Sequence, residues 1–201
     1  MSRFTRNTLL ALSVASGAVG AHAQTNLLSD GDFEAFTGQV ASGGYTTIHA
    51  PGTLGAWTVG GDSVDLIRNA YGSIADVSVD LSGADAGSLS QSFMAQAGQS
   101  YTLSWDYFRN DGGTDLTVSF GGQNYVYTPP ASVTTASLTV TALTSGLQTV
   151  SFAGGHSNQG PVLDNVSLVV TAVPEPETYA MLLAGLGAVG FVARRRGAEQ
   201  R

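Results

Sequence analysis

Between residues 24 and 172 the chain alternates apolar and small polar residues with a period of two. Ser88-Leu89-Ser90-Gln91-Ser92-Phe93, Tyr101-Thr102-Leu103-Ser104-Trp105, Leu116-Thr117-Val118-Ser119-Phe120, Ser137-Leu138-Thr139-Val140 and Thr149-Val150-Ser151-Phe152 each set apolar side chains against hydroxyls. That is the pattern of strands with one buried and one wet face. Turn signals separate them: Gly43-Gly44, Gly60-Gly61, Asn110-Asp111-Gly112-Gly113, Gly121-Gly122, Pro129-Pro130 and Gly154-Gly155. No convincing amphipathic helix interrupts the series. The pattern predicts an all-β domain, an antiparallel β-sandwich of about eight to ten strands. The stretch 129–145 has the Thr/Ser/Ala composition of a linker, but its alternation from Val133 to Leu143 assigns it a strand.

Both ends break this pattern. Arg3 and Arg6 precede the apolar run Leu9 to Val19, and Ala21-His22-Ala23 supplies a small-x-small cleavage site. Residues 1–23 therefore read as a secretory signal peptide, with a mature start at Gln24. At the other end, a Pro-Glu-Pro break is followed by sixteen mostly apolar residues, Thr178 to Ala193, and three arginines. Sixteen helical residues reach roughly 24 Å, short of the ~30 Å hydrocarbon core, so 178–193 is expected to be a marginal transmembrane helix. Arg194, Arg195 and Arg196 and the short tail 198–201 would lie on the cytoplasmic side. Gly185, Gly187 and Gly190 spell a dinucleotide fingerprint, but no strand precedes them and three arginines follow, so they read as part of a small-residue membrane helix.

In this order at the C-terminus, Pro174, Glu175 and Pro176, the apolar run and Arg194 to Arg196 resemble the PEP-CTERM sorting signal of Gram-negative bacteria, here 173–197. The resemblance implies an exosortase as partner, a cut near Pro174, a transient membrane anchor, and delivery to the outer surface or beyond.

Residues 24–172 are enough for one domain with a real core, roughly 150 residues. There is no cysteine to staple it, so packing, hydrogen bonds or a bound ion must hold it. Twelve acidic residues face only Arg68 and Arg109, and the chain has no lysine. Such a surface repels nucleic acid and anionic lipid, and favours cations and neutral polymers.

Asn26-Leu27-Leu28-Ser29-Asp30-Gly31-Asp32-Phe33-Glu34 is similar to the N-x-x-x-x-G-x-F-E opening of galactose-binding-like jelly rolls. Trp57-Thr58-Val59, Ser63 to Ile67, Val79 to Gly83, Gly87 to Phe93, Ala97 to Asp106 and Gly160 to Leu168 continue it in order. Together they resemble the choice-of-anchor C family and, more remotely, carbohydrate-binding modules. In residues, the resemblance implies a structural calcium between Glu34 and Asp164, tying together the two ends of a cysteine-free domain.

Catalytic signals are sparse. His49 and His156 lie in no metal spacing, and no Gly-x-Ser-x-Gly occurs. Asp62 with Asp65, and Asp111 with Asp115, flank turns, where solvated carboxylates are the ordinary outcome. Two carboxylates suffice for a glycosidase, but abundance of acid does not identify a pair. Binding is the stronger reading, because sandwiches recognise sugars with aromatic faces and a few hydrogen bonds. Trp105 shares its face with Tyr101 and Leu103 and is expected in the core. Tyr125 and Tyr127 share one face of a short strand; with Tyr45 and Tyr71, placed in glycine-rich loops, they are the expected ligand platform. The expected function is non-catalytic binding of an extracellular polysaccharide. The competing readings are a self-associating matrix protein and, remotely, a glycoside hydrolase.

Overall fold

The computed structural model describes residues 24–110, 113–155, 158–171 and 176–198. The signal peptide expected over 1–23, together with Pro174, Glu175, Asp111 and His156, lies outside them. A 3-10 helix, Glu34–Gln39, precedes twelve strands: β1 (Gly44–His49), β2 (Gly52–Leu54), β3 (Trp57–Gly61), β4 (Ser63–Arg68), β5 (Val77–Asp80), β6 (Gly87–Ala95), β7 (Ser100–Arg109), β8 (Leu116–Phe120), β9 (Gln123–Tyr127), β10 (Thr134–Thr141), β11 (Gly146–Ala153) and β12 (Pro161–Val170). A helix, α1 (Pro176–Ala198), follows. The number of strands exceeds the eight to ten expected, because pairing recruits short segments such as β2 and β5 that are too brief to show a period.

Two six-stranded sheets form, ordered β1-β4-β5-β12-β7-β10 and β2-β3-β6-β11-β8-β9. Every strand pairing is antiparallel. From β5 onward the chain passes repeatedly from one sheet to the other, so sequence neighbours face each other across the core. The architecture is the β-sandwich that the alternation predicts. The strand expected in 129–145 is β10.

The inner faces meet around fully buried Trp57, Trp105, Phe33, Phe120 and Phe152. Trp105 packs edge-on against Phe152 at 5.6 Å, and Trp57 lies 6.3 Å from the same ring. Burying rings of this size contributes most of the apolar stabilisation available to a domain with no crosslink. The outer faces are wet without being highly charged, because hydroxyls pair across strands: Ser100 with Thr141 at 2.7 Å, Thr102 with Thr139 at 2.9 Å and Ser92 with Thr149 at 2.9 Å. Gly121 and Gly122, with φ of 61° and 75°, form the two-residue turn between β8 and β9. Gly60-Gly61, expected as a turn, instead completes β3, where Gly61 opposes Gly87 of β6.

The N-terminal segment closes the sandwich. Asn26 Oδ1 accepts from the backbone N–H of Leu168 at 2.8 Å and its Nδ2 donates to the Val166 carbonyl, so one side chain continues the ladder of β12. The chain then passes so close to β12 that a Cβ on Gly31 would lie 2.0 Å from the Val166 oxygen. Phe33 follows into the core with no exposed surface. Opposite this contact β12 carries a bulge between Asp164 and Ser167, with Asn165 at φ 50°. The bulge lets Asp164 face outward while Val166 and Leu168 face the core.

At the C-terminus the expected helix is present. Helix α1 exists, and Met181, Leu182, Leu183, Leu186, Val189 and Phe191 on it are exposed. Among the described residues, however, no helix is long and apolar enough to cross a membrane.

Candidate functional site

Register places chemistry on the outer face of the first sheet. Thr47 of β1 lies opposite Asp65 of β4, and Asp65 lies opposite Asp80 of β5. Their inner neighbours Val64, Leu66 and Val79 fill the core, so strand alternation turns Asp65 and Asp80 to the same outer side. One residue row away, Tyr45 lies opposite Ile67. The two rows floor a cavity of about 520 Å³ whose walls include Tyr71, Gly83 and Asn110.

The two carboxylates differ in what they can still bind. Asp80 is 3% exposed. Its Oδ1 accepts from the backbone N–H of Ser82 at 2.9 Å and of Gly160 at 2.8 Å, and its Oδ2 accepts from Asn110 Nδ2 at 3.0 Å. Asp65 is half-buried; its Oδ1 is shielded from solvent and has no hydrogen-bond partner. Burial raises both groups above the usual carboxylate range. For Asp65 a hydrogen bond from Thr47 and the nearby His49 oppose the rise, whereas for Asp80 the charge of Asp65 adds to it. The sequence reading of Asp65 as a solvated turn carboxylate is therefore corrected: it lies inside β4, beside a second acid.

Tyr71 reaches the cavity on the loop between β4 and β5. The loop is closed at its base by Arg68, whose Nε donates to both Asp76 oxygens at 3.1 Å and whose Nη2 lies 3.0 Å from Asp76 Oδ2. The hydrogen bond from Arg68 holds the Asp76 carboxyl below its ordinary value. Over the sheet the loop lies so close to Phe108 that a Cβ on Gly72 would come 2.2 Å from the ring, and Gly72 has φ 78°. Tyr71 thereby meets Tyr45 edge-on, with ring centroids 5.5 Å apart. The rings remain 56% and 54% exposed, Tyr45 from within a strand rather than a loop.

The four expected ligand tyrosines thus divide. Tyr45 and Tyr71 come together over the cavity. Tyr125 and Tyr127 lie opposite the buried Val118 and Leu116 of β8 and face inward. Tyr127 packs edge-on against Trp105 at 5.1 Å and against Tyr107 at 6.1 Å. They seal the margin of the core and form no open platform. Correct strand parity identified a shared face, but parity alone does not say which face is inside.

Glu34 and Asp164 are both anchored. Glu34 Oε1 accepts from the backbone N–H groups of Asp76 and Val77 at 3.1 Å, buttressing the base of the Tyr71 loop. Asp164 is fully buried; its Oδ2 accepts from Ser78 Oγ at 3.0 Å and its Oδ1 from the Asn165 N–H at 2.6 Å. Burial, then repulsion from Glu34 and Asp106, pushes Asp164 up to about 7 against these hydrogen bonds. A pair of repelling acids suits a hard cation in charge and in ligand type. Among the described residues, however, no group of three or more His, Asp or Glu side chains gathers around a point. Any further calcium ligands would be carbonyl or water oxygens.

Comparison with known proteins adds the tail. Residues 172–196 match the PEP-CTERM protein-sorting motif, so the chain carries that motif. No curated protein matches the sequence. Among solved structures, the chain is similar to the enzymatically active domain of bacteriophage CBA120 tailspike protein 4, with 14% identity and a TM-score of 0.49 over 72% of this chain and 21% of that one. It is similar to a family 16 carbohydrate-binding module, with 17% identity and a TM-score of 0.40 over 53% and 84% of the respective chains. It is also similar to TmCBM61, solved with β-1,4-galactotriose, with 15% identity and a TM-score of 0.43 over 73% and 99%. The chain spans about a fifth of the tailspike chain.

Proposed function

We propose that this chain is an exported, non-catalytic carbohydrate-binding protein whose sandwich holds an extracellular polysaccharide on the outer face of the β1-containing sheet. The observation that carries this reading is the Tyr45–Tyr71 pair, two half-exposed rings beside a cavity of about 520 Å³. Aromatic faces attract the apolar side of pyranose rings, and the surrounding carboxylates and amides are suited to sugar hydroxyls. The cavity is large enough for one or two sugar units and open enough for a polymer to pass.

Binding fits the carboxylates better than hydrolysis. Asp80 has hydrogen bonds on both oxygens and is buried, a poor start for a nucleophile or a proton donor. The tail supplies the route: an exosortase acts near Pro174 to Pro176 and releases the domain to the cell surface or the matrix. Removal of the signal peptide with Arg3 and Arg6, and of the tail with Arg194 to Arg196 and Arg201, leaves Arg68 and Arg109 as the only cationic side chains of fixed charge. A structural calcium at Glu34 and Asp164 belongs to the same proposal.

Polysaccharide pull-down with the intact domain tests it. Tyr45→Ala and Tyr71→Ala are expected to weaken binding at least tenfold, and Tyr125→Ala to leave affinity unchanged. Absence of binding to any polysaccharide, together with concentration-dependent oligomers, favours a self-associating matrix protein instead.

A further inference from the structure

The two sheets end in four edge strands, and these are not equally protected. β2 has three residues and β9 five. β1 has six and is flanked by the 3-10 helix, whose Gln39 carbonyl accepts from Thr46 Oγ1 at 3.0 Å. β10 has eight residues in unbroken register with β7, and among the described residues no strand pairs with its other side. It contains no proline, bulge or charged residue. Those are the devices by which edge strands ordinarily avoid pairing with another chain.

The free side of β10 is complementary to itself. Ala142 N–H donates to the Gln99 carbonyl at 2.9 Å, and the Ser100 carbonyl accepts from the Thr171 N–H at 2.8 Å on the β12 side of β7. By alternation the even-numbered residues of β10 bond to β7, and the backbone groups of Thr135, Ser137, Thr139 and Thr141 point away from it. A second copy laid antiparallel about a two-fold axis at Leu138 pairs Thr135 with Thr141 and Ser137 with Thr139, so all four gain main-chain partners. On the inner side the same register sets Leu138 against Leu138 and Ala136 against Val140, side chains that pack on the core yet stay partly exposed. On the outer side it sets hydroxyl against hydroxyl, as β7 and β10 already do.

Charge selects the same place. Twelve acidic residues against two arginines make copies of the domain repel, but residues 116–163 contain no Asp, Glu, Lys or Arg. Asp106 on neighbouring β7 is bonded to Thr135 and Asn165. We propose that the exported domain forms a two-fold dimer through β10, the first sheets of two copies joining into one continuous sheet. Tyr45 lies on β1, at the opposite edge, so each copy keeps its aromatic pair open and the dimer presents two to a repeating polymer. Eight residues span about 27 Å, an interface at the small end for stable complexes, so the dimer dissociates on dilution.

Sedimentation velocity of the full chain over a dilution series tests this, in mild detergent to shield the exposed apolar side chains of α1. A monomer-dimer equilibrium is expected. Ser137→Lys brings a charge from each copy into the pairing, and Thr139→Pro removes an outward N–H that β7 does not use. Each is expected to weaken dimerisation at least tenfold while the melting temperature shows the fold retained. Thr53→Lys, the same gain of charge at an exposed position on edge strand β2, is expected to leave the dimer unchanged. A chain that stays monomeric at its highest soluble concentration, a dimer that survives in both β10 variants, or one lost equally in Thr53→Lys overturns the proposal and leaves the sugar-binding reading standing.

Discussion

Asp65 and Asp80 occupy directly opposed positions on adjacent antiparallel strands, and both carboxyls point out of the same face of the sheet. Burial holds both above the usual carboxylate range, and for Asp80 the neighbouring charge of Asp65 adds to the rise. The fold offsets part of this by donating two backbone N–H groups and the Asn110 amide to Asp80. Asp80→Ala would orphan these donors and is expected to destabilise the domain by roughly 2 kcal/mol or more. Asp65→Asn removes the repulsion and is expected to leave stability unchanged or raise it. Urea denaturation of the two variants measures both effects; equal losses from each would contradict this division of roles.

A second prediction concerns pH. Asp164 has a folded value of about 7 against an ordinary 3.8, so the folded state holds its proton more tightly than the unfolded chain does. Its contribution to stability is fully present below about pH 4 and is lost as pH rises through 7. Asp164→Asn mimics the protonated form and is expected to flatten the fall in melting temperature between pH 5 and 8. A wild-type profile with no fall in that window, or an unchanged fall in the variant, would show that Asp164 is not its source.

Calcium gives the same pair an opposite signature. If an ion sits between Glu34 and Asp164, millimolar calcium raises the melting temperature at pH 8 by several degrees and a chelator reverses it. Asp164→Asn removes the response. A melting temperature indifferent to both additions leaves the proton as the only partner of the pair.

Close backbone contact predicts where substitution is least tolerated. Gly31→Ala drives a methyl against the Val166 carbonyl and is expected to cost about 2–3 kcal/mol. Gly72→Ala meets the Phe108 ring and a positive φ in an exposed loop. It is expected to shift Tyr71 and weaken polysaccharide binding while changing global stability less than Gly31→Ala does. Thermal melts alongside binding isotherms distinguish the two.

Processing makes its own prediction. Replacing Pro174, Glu175 and Pro176 with alanine is expected to leave the chain uncut and cell-associated, whereas the native chain appears outside in a shortened form. Immunoblots of cell and medium fractions read the difference, and normal release of the triple variant would detach the motif from export.

The strands were legible because one-sided burial writes itself as alternation: Leu103 and Trp105 are buried, and Thr102 and Ser104 between them are half wet. The opening motif was legible as a resemblance, and its reasons are geometric: Asn26 extends a ladder, Gly31 clears a carbonyl and Phe33 fills the core. The site was legible only in part. Tyr45 and Tyr71 stand 26 positions apart and meet because β1 pairs with β4 while Gly72 lets the next loop fold down on Phe108. Asp65 and Asp80 form a pair through the register of β4 against β5, a relation that no spacing along the chain encodes. Tyr125 and Tyr127 misled because β9 lies at a sheet edge, where an inward face is short of neighbours in sequence but not in space.

The central claim is that Tyr45 and Tyr71 form a carbohydrate-binding face. The most direct measurement is the affinity of the intact domain for a panel of soluble polysaccharides, compared with that of the double variant Tyr45→Ala, Tyr71→Ala. Micromolar binding to at least one polymer is expected, lost in the double variant while its melting temperature stays within a few degrees. Undiminished binding by a folded double variant would contradict it.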